Sequence, residues 1–266
     1  MMLPPMMLML MLLPLMTLAA VQVPLPSSPP GFTIGKGCLN SSVQLDVFMD
    51  LLCPFSKDAF RGLKRLVHHL SPSDFRLRVH QFPLPYHQQA YSVAQASETI
   101  VFALGRDSFE TWMDAVFVNQ DSFGNKATEL AGQAAVTDQL AQLAYDTFPN
   151  LTIAQWTDGM SGYGGTERDA DTRVAWKYAC SRGITGTPTF LLNDVVVDDP
   201  DLDWTLTDWL AYLQPYLQVG NRAKSSELLS STGWFDWGVI VISVVGTMVV
   251  GIGMIFYKRR SLYNRI

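Results

Sequence analysis

The sequence predicts a mixed α/β domain with a helical insertion, followed by one membrane-spanning helix. Three observations carry this. Short alternating, β-rich segments flank a helix near the start of the domain, and about ninety residues of helical periodicity come next. A strand–turn–strand hairpin and a closing helix then precede an apolar run that carries no charge.

The two ends are set aside first. Met, Leu and Pro run from Met6 into Thr17-Leu18-Ala19-Ala20, a small-residue exit. The run is short for a bilayer core of roughly 30 Å, so residues 1–20 read as a signal peptide, with an uncleaved anchor as the alternative. Residues 21–32 are Pro/Ser-rich and read as a linker. At the other end, residues 237–257 form the apolar run, with Trp234, Trp237 and Tyr257 at its edges. Lys258-Arg259-Arg260 follows at once, so the tail 258–266 is expected in the cytosol and the domain on the other side. That is a single-pass type I arrangement in the secretory pathway, with 219–236 as a tether. Sequons at Asn40-Ser41-Ser42 and Asn150-Leu151-Thr152 both fall on the side expected to be lumenal or extracellular. Ser243, Thr247 and Gly251 offer a helix-association face, and Tyr263-Asn264-Arg265-Ile266 has the form of a tyrosine-based sorting signal.

Between the ends lies one domain, residues 33–218. Val43 to Met49 alternates and is β-rich, so it is a strand. Asp50-Leu51-Leu52 turns, and Pro54 suits the first turn of a helix reaching about Leu70. Phe75 to Phe82 alternates again, until Pro83 and Pro85 stop it. Apolar residues then recur three and four apart through an insertion at about 88–182, with helices around 88–104, 109–118, 128–148 and 169–180, the last ended by Gly183. Thr189 to Leu192, Asn193-Asp194 and Val195 to Val197 form a hairpin, and Thr205 to Leu217 an amphipathic helix. Strand–helix–strand followed by hairpin–helix is the thioredoxin plan, here with a helical block inserted.

Composition narrows the chemistry. A net charge of −5 with no long basic block argues against nucleic acid. Three cysteines are too few for a disulfide scaffold, and no Cys/His spacing suggests zinc, so neither a metal nor a bound cofactor is expected. Cys53 of Cys53-Pro54-Phe55-Ser56 stands where the first strand hands over to the helix. There, unpaired N–H groups and the helix dipole favour thiolate. Gly186-Thr187-Pro188-Thr189-Phe190 opens the third strand with a proline, which suits a fixed and possibly cis turn.

Taken together, Asp50-x-x-Cys53-Pro-x-Ser56 and Gly186-Thr-Pro-Thr-Phe-x-x-Asn193 resemble the DsbA-like thioredoxin family over roughly residues 33–217. The resemblance implies that Cys53 is the nucleophile and Pro188 a cis-proline lying against it. It also implies that the Thr187 backbone pairs with an extended substrate segment, beside Pro54 and Phe55. Ser56 departs from the family pattern, since it stands where the second, resolving cysteine belongs. A hydroxyl neither ionises near neutral pH nor forms a disulfide, so dithiol cycling between residues 53 and 56 is excluded.

Four readings remain open. One is a monothiol protein forming mixed disulfides with cysteine-bearing polypeptides or low-molecular-weight thiols, glutathione included as co-substrate. The second uses Cys180 as a remote resolving thiol, on the expectation that its helix end faces the active-site side. The third is a glutathione-dependent transferase or isomerase, because kappa-class transferases share the fold and carry Ser-Pro-x-Ser at this turn. The fourth is a redox-inert interaction domain. Cys38 reads as structural, at the far end of the first strand. His87 follows a rigid loop and could approach Cys53 to stabilise thiolate as imidazolium. His80 reads as a strand residue, His68-His69 as a solvated helix end, and the domain tryptophans as packing. Gly162-Tyr-Gly-Gly165 is too irregular for a phosphate loop.

Overall fold

The computed structural model describes residues 26, 29–161 and 166–217. The leader, most of the linker, Gly162 to Gly165, the tether, the apolar run 237–257 and the tail lie outside the described residues. Among the described residues no helix is long and apolar enough to cross a membrane.

Chain order runs β1 (Phe32–Ile34), β2 (Val43–Met49), α1 (Pro54–His69), β3 (Phe75–Gln81), α2 (Ala90–Leu104), α3 (Ser108–Val118), α4 (Gln133–Thr147), α5 (Ile153–Met160), α6 (Glu167–Ser181), β4 (Thr189–Leu192) and β5 (Val195–Val197). Residues 206–217 are helical and are called α7. The sheet order is β1-β3-β2-β4-β5. β2 and β3 are parallel, joined through α1, while β1 on β3, β4 on β2 and β5 on β4 are antiparallel. Parallel neighbours need a crossover, and α1 is long enough to provide it.

Alternation along β2 sorts its side chains to two faces. Val43, Leu45, Val47 and Met49 enter the main core with Ala59, Phe60, Leu63 and Leu66 of α1 and Trp209 and Leu213 of α7. Phe48 turns the other way and packs with Cys53, Phe82, Leu84, Ala179, Ile184 and Leu191 beneath α6. The insertion extends the main core rather than forming a second one. Trp112 of α3 is wholly buried, and its Nε1 donates to Ser97 Oγ of α2 at 3.1 Å.

Expected and observed elements differ in three places. β1 has no counterpart among the expected strands, because three residues show no periodicity; its pairing of Phe32 with Val79 and Ile34 with Leu77 is what makes it a strand. The linker therefore ends one residue earlier, since Phe32 is in β1 and buried. α4 starts at Gln133 rather than near Thr128 because Gly132 is its N-cap, and α5 is a separate helix opened by the Thr152/Gln155 capping box.

Asn193 and Asp194 adopt positive φ (47° and 72°), as a two-residue hairpin turn requires. Gly183, at φ 74°, ends α6 while Ile184 N–H donates to the Ala179 carbonyl at 3.1 Å.

Candidate functional site

Cys53 is the N-cap of α1, with Pro54 in the first turn and no acidic residue there. Its side chain does not cap the helix. The thiol donates instead to the Thr187 carbonyl, 3.4 Å away, and the Thr187–Pro188 peptide bond is cis. The register explains the meeting. Phe48 near the end of β2 pairs with Thr189 at the start of β4, so the loop before β4 lies beside the turn after β2. Thr189 Oγ1 donates to the Gly186 carbonyl at 2.8 Å and holds that loop closed. Cys53 is only 3% exposed, whereas Phe55, two residues on, is 56% exposed.

Ser56 faces inward. It is wholly buried, and among the described residues neither its hydroxyl nor that of Thr187 has a hydrogen-bond partner. Positions three apart on a helix are neighbours, so the Ser56 side chain lies on the Cys53 side of the first turn.

The turn between β2 and α1 is held from two directions. Asp50 is buried; its Oδ1 accepts from Leu52 N–H at 2.8 Å, and Oδ2 accepts from Leu84 N–H at 3.0 Å and from His87 Nδ1 at 2.7 Å. Cys53 N–H donates to the Asp50 carbonyl at 3.0 Å. Burial pushes the Asp50 carboxyl above its ordinary range, and these donors offset only part of that. From the insertion, Gln120 Nε2 donates to the carbonyls of Leu51 and Cys53 at 2.9 and 3.1 Å.

Sequence reasoning assigns no role to Asp50 or Gln120. An aspartate closing an apolar strand three residues before the cysteine is a visible signal for the first. Gln120 has none, because it sits in a short 3₁₀ turn (Gln120–Phe123) whose contact exists only through tertiary packing. Among the described residues no group of three or more His, Cys, Asp or Glu side chains could hold a metal.

No protein-family model matches the chain, and no curated protein matches it. Solved structures do. A Pseudomonas syringae protein provisionally assigned as a protein-disulfide isomerase is 19% identical, covering 69% of this chain and 97% of its own, with a TM-score of 0.58. Wolbachia pipientis alpha-DsbA1, in a form with two of its cysteines replaced by alanine, is 16% identical over 76% of this chain and 96% of its own, with a TM-score of 0.55. Pseudomonas aeruginosa DsbA2 is 25% identical over 71% of this chain and 93% of its own, with a TM-score of 0.50.

The fold is the DsbA-like thioredoxin fold.

Within this DsbA-like frame Cys180 lies in the last turn of α6. One of the four readings has that helix end face the active-site side. α6 runs antiparallel to β3 across this face, with Ala179 in the buried cluster that holds Cys53. Trp176 stacks on Phe82, just past the C-terminal end of β3, at 6.5 Å, and Tyr178 lies over His80 at 5.3 Å. Arg182, just past the helix, then pairs with Asp194 in the β4–β5 turn. That turn adjoins the start of β2, where Asn193 N–H donates to the Gln44 carbonyl at 2.8 Å, so it lies at the opposite end of the sheet from Cys53. Cys180 is exposed, and it and Cys53 are both free thiols. The chain then returns through Gly183 to Thr187, where it meets Cys53. Cys38 also lies toward that far end, its Sγ 3.4 Å from the Pro72 carbonyl.

Two further residues carry more than the sequence suggests. His80 is a strand residue, and its Nε2 also meets Asp46 Oδ1 at 2.6 Å in a buried cluster with Arg78. His68 is exposed yet bonds Glu110 at 2.8 Å. Asn40 and Asn150 are both exposed.

Proposed function

We propose that this chain is a membrane-tethered thiol–disulfide exchange protein that works through one cysteine on the non-cytosolic side of a secretory-pathway membrane. The observation that carries the reading is the meeting of Cys53 Sγ with the Thr187 carbonyl at 3.4 Å beside cis-Pro188, with Ser56 buried on the same first turn.

Chemically, the Cys53 thiolate attacks one sulfur of a substrate disulfide and forms a mixed disulfide, while the other sulfur leaves as thiolate. Ser56 cannot attack that product. The mixed disulfide persists until an external thiol, glutathione or a partner cysteine, displaces Cys53. Pro54, the exposed Phe55 and the Thr187 backbone would contact an extended, cysteine-bearing segment. Such a cycle suits holding or exchanging exposed thiols rather than rapid turnover. It makes the protein a thiol–disulfide oxidoreductase without the usual resolving cysteine.

The tether is supported by the uncharged run 237–257 and the basic Lys258-Arg259-Arg260 after it, and the orientation by the leader and by exposed sequons at Asn40 and Asn150. A glycosidase-sensitive mobility shift, lost when both asparagines are changed to Gln, is the expected result for that topology. Full-length protein without a shift in a glycosylating host argues against it.

A second reading, binding of extended segments without exchange, is favoured by the 3% exposure of Cys53 and by its bond to Thr187. The discriminating experiment is to alkylate cells expressing the full chain, then separate proteins without and with reductant. Reductant-sensitive adducts that vanish in Cys53→Ser support exchange. Adducts that are absent, or unchanged in Cys53→Ser, leave the binding reading.

A further inference from the structure

A cavity of about 500 Å³ opens at the β1 edge of the sheet, between the Pro-rich approach to β1 and the helices α2 and α6. That size is ordinary for a small-molecule site. Helical spacing puts Glu98, Val101 and Phe102 of α2 on one wall and Arg168, Asp171 and Ala175 of α6 on another. Pro29 and Pro30 close a third side. No residue of the Cys53 turn or of the Pro188 loop lines the cavity.

Of the charged residues that line it, all but one are already engaged. Arg106 donates to the Gly31 carbonyl and lies over the Phe32 ring at 5.5 Å. Arg168 stacks on the Phe102 ring at 3.9 Å and ion-pairs with Asp171 at 2.9 Å and Glu167 at 3.3 Å. Glu98 alone has no hydrogen bond or ion pair among the described residues. Burial first, then the Asp171 charge, hold its carboxyl up at about 7, against the pull of Arg168 and Arg106. A carboxyl packed away from water without a partner is costly, and what it lacks is a donor. An anionic ligand would meet Glu98 and Asp171 with both arginines already committed. A cation supplies the missing partner.

We infer that this cavity binds a small amphipathic amine, its ammonium group held by Glu98 and its apolar body lying among Val101, Ala175 and the prolines. The site is separate from Cys53 and does not rest on the exchange reading. Binding is coupled to a proton: the ammonium favours the ionised carboxyl, so in acid the entering amine releases the Glu98 proton to solvent. The charged groups facing Glu98 are Asp171 and Arg168 of α6 and Arg106 just past the end of α2.

The test titrates the full chain in detergent micelles with phenethylamine and with hexylamine, by calorimetry in two buffers of different ionisation heat. The neutral isostere 2-phenylethanol is the control for apolar burial. Glu98→Gln, with a melting curve to check folding, is the control for the carboxyl and for partitioning into micelles. We expect saturable binding about tenfold tighter at about pH 8 than at about pH 6, with proton release at the lower pH. Binding should be at least about tenfold weaker for 2-phenylethanol and for Glu98→Gln. Failure of both amines to bind saturably overturns the proposal. So does equal binding by 2-phenylethanol, or amine binding that persists unchanged in folded Glu98→Gln.

Discussion

The Cys53 thiol and the Thr187 carbonyl meet at 3.4 Å although the two residues come from opposite ends of the domain. The carbonyl is a group that a paired substrate strand would approach, and the thiol is the group that would react with it. On the proposed exchange reading, recognition and chemistry share one contact. The low exposure of Cys53 makes access, as much as nucleophilicity, the control on reaction. Four consequences can be measured.

Ser56→Cys should convert the site to a dithiol. The hydroxyl it removes has no hydrogen-bond partner, so the change should alter stability by less than about 1 kcal/mol. Cys53 and the new thiol are neighbours on the first turn and should oxidise to an intramolecular disulfide, so that mixed disulfides become short-lived. Thiol counting and adduct lifetimes check this. Adducts as long-lived as in the unmodified protein would mean the first turn does not present residue 56 to Cys53.

Acid should weaken the fold through the cluster beneath α6. Burial alone would raise the Asp46 carboxyl, but the hydrogen bonds and charges of His80 and Arg78 outweigh it and bring it to about 2. A depressed carboxyl adds stability above its unfolded pKa and loses it as pH falls through the folded one, here from about 3.8 to about 2. The difference is worth about 2 kcal/mol. His80 is lowered from its ordinary value by burial, which Asp46 only partly offsets, so its contribution is lost earlier, as pH falls below about 6.5. Asp46→Asn should be less stable at pH 7 and converge on the unmodified protein near pH 2. Denaturant melts across that range measure it.

Glu98 should act in the opposite sense. Burial first, then the Asp171 charge, push its carboxyl up to about 7, against the pull of Arg168 and Arg106. A raised carboxyl gives stability that is full below its unfolded pKa and is lost as pH rises through the folded value. Glu98→Gln should therefore raise stability at about pH 8 by about 3 kcal/mol and change it far less at about pH 5. Equal gains at both pH values would show that the ionised carboxyl is not the cause.

Gly62 is where α1 meets the approach to α7. A Cβ there would collide with the Trp204 carbonyl oxygen and lie 3.1 Å from the Trp209 ring nitrogen. Backbone cannot yield cheaply, so Gly62→Ala should cost about 1–3 kcal/mol despite the better helix propensity of alanine. Thermal melting of the variant tests the contact. An alanine that stabilises would mean α1 and the Trp204 turn are not packed as described.

Legibility followed the range of the signal. β2, β4 and β5 stand where alternation and turn residues place them, and α1 and α6 fall within a residue or two of expectation. The motif pair around Cys53 and Pro188 is readable because strand ends and prolines mark it locally. Gln120 is not, since its bonds to Leu51 and Cys53 reach across 69 and 67 residues of chain. The surroundings of Cys180 are not legible for a similar reason. Periodicity gives the length of α6 but not its direction across the sheet, and it took Arg182 on Asp194 to decide that.

What this sequence determined alone is the order of the longer elements, the one cysteine at a helix start, and the absence of a thiol at residue 56. Those are properties of consecutive residues, set by periodicity, by proline and glycine, and by the chemistry of sulfur against oxygen. Tertiary structure decided the rest: that Cys53 bonds to Thr187, that Asp50 holds His87, and that Cys180 faces solvent elsewhere. Each of those depends on strand register and helix direction, which arise from burying one face of each element against another distant in the chain.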